Sequence, residues 1–149
     1  MSKFSKRSLF LMKADISRPL VVGVSIAIVR ELHADGDYEW KVFVMNSNDF
    51  GIRNVLVTSK GYGEIGGEQK KTAILRHHVR ALPPHSAMPI ELIQPELFDL
   101  CNEFWVSYYM DDESNNKIYD KKFLFLPGSV VEENLSFIPV IRAEGVLHG

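Results

Sequence analysis

Residues 102–127 constrain the fold more than any other stretch: Asn-Glu-Phe-Trp-Val-Ser-Tyr-Tyr-Met, then Asp-Asp-Glu-Ser-Asn-Asn, then Lys-Ile-Tyr-Asp-Lys-Lys-Phe-Leu-Phe-Leu-Pro. Two aromatic-rich runs around a segment with no apolar side chain predict a β-hairpin with a solvated tip. Side chains alternate along a strand, so Phe104, Val106, Tyr108 and Met110 share one face. Trp105, Ser107 and Tyr109 share the other. Both faces are at least half apolar, and the rest of the chain has to supply a covering sheet.

The remaining segments suit that role. Residues 19–30 are β-branched and apolar on both faces, as in a strand covered on two sides. Asp35-Gly36-Asp37 marks a turn, after which Tyr38, Trp40, Val42 and Val44 alternate inward along a second strand. Residues 46–51 read as a loop and residues 53–59 as a third strand, followed by a glycine-rich loop over 61–67. Residues 71–79 fit either a helix face through Leu75, Val79 and Leu82 or an alternating strand. The β-rich flanks favour the strand. Pro83-Pro84 stops that segment, and Pro89 confines residues 87–93 to the edge of a sheet. A helical turn over 94–102 crosses between sheets, with Leu97, Leu100 and Cys101 spaced to face the core.

About seven short strands between turn signals predict an all-β protein, an antiparallel immunoglobulin-like β-sandwich. Residues 1–18, which mix basic and apolar side chains without a period, form an N-terminal arm. Residues 19–127 form the sandwich domain. Residues 128–149 form an apolar C-terminal extension, packed on the domain or on a partner.

The chain of 149 residues is long enough for one domain with a sizeable core. Its 17 basic and 19 acidic residues give no broad electrostatic case for nucleic acid or an anionic membrane. The single Cys101 forms no intrachain disulfide and reads as a packed thiol. The apolar run over 9–12 is too short for a signal peptide and the run over 20–29 too short for a membrane span, so a cytoplasmic location is expected.

Few motifs carry chemistry. Gly61-Tyr62-Gly63-Glu64-Ile65-Gly66 matches GxGxxG, whose glycines let a backbone approach pyrophosphate at a helix N-terminus. Glu64 and Glu68 stand where the phosphate would sit, and Pro83-Pro84 interrupts any βαβ continuation, so a mobile loop between strands is the expected role. His33, His77, His78, His85 and His148 lack the convergent spacing of a zinc site. Asp111, Asp112 and Glu113 lack the ligand spacing of an EF-hand. No GxSxG nucleophile elbow occurs. The densest cationic cluster is Lys70, Lys71, Arg76, His77, His78 and Arg80, which reads as an anion contact or a charged strand edge.

Glu39-Trp40-Lys41-Val42, residues 55–63, Leu75-Arg76-His77, residues 102–107 and Tyr119-Asp120-Lys121-Lys122 resemble a family of small bacterial proteins of unknown function. Some members of that family carry a phenylalanyl-tRNA synthetase label. The resemblance runs from about residue 20 into the tail and implies no catalytic residues. A class II synthetase core needs its own motifs and a far longer chain, and no segment here matches one.

The sequence therefore predicts a non-catalytic interaction module without metal or cofactor, binding a protein partner or a second copy of itself. The expected interface residues are Val22, Val24, Ile26, Ile28, Phe137, Ile138 and Val140. One alternative is a nucleotide or other anionic ligand held by the 61–67 loop, with Gly61, Gly63, Lys71, Arg76, His77 and His78 as contacts. The other is an accessory RNA-binding protein.

Overall fold

A computed structural model describes residues 19–149, so the expected N-terminal arm over 1–18 lies outside the described residues. Among the described residues there are ten strands, β1 (Val24–Leu32), β2 (Tyr38–Asn46), β3 (Ile52–Ile65), β4 (Glu68–Lys71), β5 (Leu75–Leu82), β6 (Ser86–Leu92), β7 (Cys101–Met110), β8 (Ile118–Phe125), β9 (Ser136–Ile138) and β10 (Ala143–His148). The first sheet has the order β6-β2-β1-β10-β9. The second has the order β4-β3-β7-β8, with β5 also paired to β3. All pairings are antiparallel, and the protein is an all-β sandwich of two five-stranded sheets.

Alternation in the sequence determines which side chains meet between the sheets. Ile26, Ile28, Val42 and Val44 of the first sheet are fully buried in one cluster with Phe104, Val106, Tyr108 and Phe123 of the second. Removing each such side chain from water stabilises the fold by roughly 1.5–3 kcal/mol. The aromatic hairpin is β7 and β8, and Phe104, Val106 and Tyr108 all face this core. Edge-on contact between Phe104 and Phe125 (centroids 5.7 Å apart) and stacking of Tyr108 on Tyr119 (5.2 Å) tie the two neighbouring strands together on their inner face. The turn expected between the sheets is a 3-10 segment, Pro95–Asp99, and its Phe98 packs edge-on against Trp40 at 5.0 Å.

Three strands exceed the expected seven, each for a local reason. The glycine-rich loop is a hairpin, β3 to β4: Ile65 pairs with Glu68 around Gly66 and Gly67, whose φ of 59° and 81° are those of a two-residue turn matching strand twist. The other two come from the tail. β10 lies beside β1 in register Ile28↔Val146, and β9 pairs with β10. Arg30 anchors the tail further, its guanidinium donating to Glu132 at 3.0 and 2.8 Å and to Glu144 at 2.9 Å while lying 4.4 Å over the Tyr38 ring. Glu132 first, then Glu144, raise the Arg30 pKa.

The loop after β2 is tied down by Asn46, which is buried. Its amide donates to the carbonyls of Phe50, Leu82 and Pro83 at 2.9, 3.2 and 3.1 Å, and its Oδ1 accepts from the Asn48 backbone at 3.0 Å. This one side chain joins the end of β2 to the proline corner where the chain leaves β5 for β6. β6 is an edge strand, as Pro89 requires, and among the described residues pairs only with β2.

Burial, with Tyr119 adding to it, pushes the Tyr108 phenol up to about 12. The unfolded chain releases this proton near pH ~10, so the native state holds it more tightly. The resulting stability is intact below pH ~10 and is lost as pH rises toward ~12, amounting to about 3 kcal/mol at most. Denaturant titrations at stepped alkaline pH are expected to show this fall, and Tyr108→Phe is expected to reduce it.

Candidate functional site

The outer face of the second sheet is the surface on which chemistry-bearing side chains gather. Residues in register on neighbouring strands point to the same side of a sheet. Thr58 aligns with Arg76 on one side and with Trp105 and then Lys122 on the other. Leu56 aligns with His78, Ser107 and Asp120, and Lys60 with Glu103 and Leu124. Tyr62 lies between Lys71 and Cys101, and Arg53 between Ala81 and Tyr109. A bulge between Arg53 and Leu56, where Asn54 has φ 51°, brings Arg53 onto this face.

Three aromatic rings stand on this face with a cation beside each. Arg53 is 5.2 Å from the Tyr109 centroid, Lys60 5.8 Å from Tyr62 and Lys122 6.0 Å from Trp105. Attraction to the ring faces and the apolar stems of the long cations keep these rings partly covered. Trp105 is still 41% exposed, at the middle of the sheet. The sequence called for a covering sheet over this hairpin, and among the described residues the first sheet covers its inner face only. The Tyr62 hydroxyl donates to Glu103 at 3.1 Å, and Cys101, burial and Glu103 together raise its pKa. Cys101, expected to face the core, is half-buried on the outer side beside Tyr62, because β7 starts with that parity.

The expected anion contacts separate. Lys71, Arg76 and His78 belong to this outer face, whereas His77 points between the sheets. There its Nε2 lies 2.6 Å from Glu91 Oε1, and the same oxygen accepts the Ser59 hydroxyl at 2.7 Å. Glu91 comes from β6, His77 from β5 and Ser59 from β3, so the cluster clamps the two sheets at their open side. Adjacent histidines on a strand face opposite ways, which the sequence shows, but the carboxylate partner 14 positions on is not legible from it. Gly61 and Gly63 are packing positions. A Cβ at Gly61 would lie 3.1 Å from Thr72 and 3.2 Å from Asn102, and one at Gly63 3.4 Å from Leu100. Gly61 also donates its N–H to Thr72 Oγ1 at 2.8 Å, closing the gap between β4 and β5.

The expected interface residues divide as well. Val24, Ile26 and Ile28 are buried in the sandwich core, and Ile138 packs with Ala27, Val29, Phe43 and Met45 on the other side of the first sheet. Val22, Phe137 and Val140 are exposed. The described histidines do not converge, and no group of three or more His, Cys, Asp or Glu among the described residues could hold a metal ion. No helix among the described residues is long and apolar enough to cross a membrane.

Glu91→Ala would leave the buried Ser59 hydroxyl and His77 Nε2 without their shared acceptor. Chemical denaturation is expected to show a loss of about 1–3 kcal/mol, with a smaller loss for Glu91→Gln, which keeps an acceptor oxygen.

No protein-family model matches this chain, and no curated protein matches it in sequence.

Proposed function

We propose that the protein is a non-catalytic interaction module that binds a protein partner through the outer face of its second sheet. The observation that carries this reading is Trp105, exposed at the centre of that face with Tyr62, Tyr109 and Arg53 around it. Tryptophan, tyrosine and arginine are the residues that most often dominate binding energy at protein interfaces. A sheet face of this composition in a folded domain is a docking surface in want of a partner.

Charge favours a different protein over a second copy. Arg53, Lys60, Lys71, Arg76 and Lys122 share the face with the carboxylates Glu103 and Asp120, in a chain whose net charge is −2. Two such faces brought together would set cations against cations. A polyanion laid across the face would meet Glu103 and Asp120 near its middle, which favours a folded partner with mixed charge over RNA.

The absence of chemistry in this reading rests on the Ser59, Glu91 and His77 cluster. In a nucleophile relay the histidine stands between hydroxyl and carboxylate. Here the carboxylate stands between the other two.

Trp105→Ala is expected to change stability by no more than about 0.5 kcal/mol, since the side chain is outside the core. A partner captured by the wild-type protein from its source, then purified, is expected to bind Trp105→Ala more weakly by about 2 kcal/mol or more in titration calorimetry. Equal binding by the two proteins would contradict the assignment.

A further inference from the structure

The side of the sandwich where β5 and β6 run past each other is open. β5 pairs with β3 and, among the described residues, has no strand on its other side; β6 pairs only with β2. Between these two edges runs a groove of about 650 Å³. An unpaired edge strand offers a row of backbone N–H and C=O groups to any extended chain that lies beside it.

The side chains along this edge differ on the two sides of the sheet. Arg76 and His78 occupy alternate positions of β5 and project together from the outer face, and Arg80 lies exposed two residues further along the same edge. Arg76 and Arg80 have no ion-pair partner among the described residues. On the inner side His77 and Val79 line the groove, with Met88, Pro89 and Ile90 of β6 opposite, while Arg76, His78 and Arg80 border it along β5. Pro89 removes a backbone donor from β6, so β5 is the better template.

We propose that the β5 edge is a strand-addition site for an extended peptide of alternating acidic and apolar residues. Resting on the reading of the protein as an interaction module, this names the segment its partner would present. In such a peptide one set of side chains meets Arg76, His78 and Arg80, while the other enters the groove over Met88 and Ile90. Main-chain hydrogen bonds to β5 give affinity and the alternating contacts give specificity. The comb of cations also discourages neutral or basic strands from pairing at the same edge, which narrows the choice of partner.

The test uses the full chain and a fluorescent, end-capped peptide of alternating valine and glutamate as long as β5. Comparison probes are a valine–lysine peptide, a peptide of the same valine and glutamate content in two blocks, and single-stranded oligothymidylate. Anisotropy is expected to show saturable binding of the alternating acidic peptide below about 1 mM. Binding is expected to weaken about tenfold or more in the Arg76→Glu, Arg80→Glu double variant, with Arg76→Gln, Arg80→Gln as the milder pair should the first fold poorly. Hydrogen exchange is expected to slow in β5 when the peptide is bound. No saturation, equal binding of the block peptide, indifference to the arginine variants or preference for the oligonucleotide would each overturn the proposal. Trp105→Ala separates the two levels: a partner that depends on Trp105 while no peptide binds removes only the strand-addition site, and loss of both removes the interaction module as well.

Discussion

Close packing of the inner face of the aromatic hairpin on β1 and β2 is the constraint from which the rest of the molecule follows. Phe104, Tyr108 and Phe123 are among the largest fully buried side chains, and the small β-branched residues Ile26, Ile28, Val42 and Val44 fill the space opposite them. Large residues on one sheet against branched ones on the other give interdigitation at native density. With that layer fixed, period-two alternation commits Trp105 and Tyr109 to the outside of the sheet. The exposed face is thus a consequence of the core, and no register of β7 buries both sets.

The same arrangement explains the tail. β1 is apolar on both sides, and once β2 occupies one of its edges the other needs a strand. β10 supplies it, with Gly145 opposite Val29 where a Cβ would meet the backbone of Ile28. Arg30 then holds Glu132 and Glu144 against β1, so the tail is a structural part of the first sheet. Among the described residues the side of the sandwich between β5 and β6 is open, clamped at one end by Glu91 and at the other by Asn46.

Much of this was legible in the sequence wherever one strand has one wet and one dry face. The hairpin, β2, the Pro89 edge strand and the short turn before β7 all follow from alternation and proline chemistry. β4 was not legible, because Glu68–Lys71 is exposed throughout and so shows no alternation. β9 and β10 were not, because their pairing depends on a strand more than a hundred residues earlier. The candidate site was legible only in pieces. Trp105 and Tyr109 read as one face of a strand, but Arg53, Lys60 and Lys122 reach that face through strand register and a bulge at Asn54. Ser59, His77 and Glu91 likewise meet only once both sheets are in place.

An open outer face of the second sheet in the free protein is the claim on which the functional reading stands. Hydroxyl-radical footprinting of the purified protein reads it directly, residue by residue. Trp105 and Tyr62 are predicted to oxidise at the rates of exposed aromatics, while Phe104 and Tyr108, from the same hairpin and its core, stay protected. Protection of Trp105 to the level of Tyr108 would mean that the face is already covered and would contradict the account.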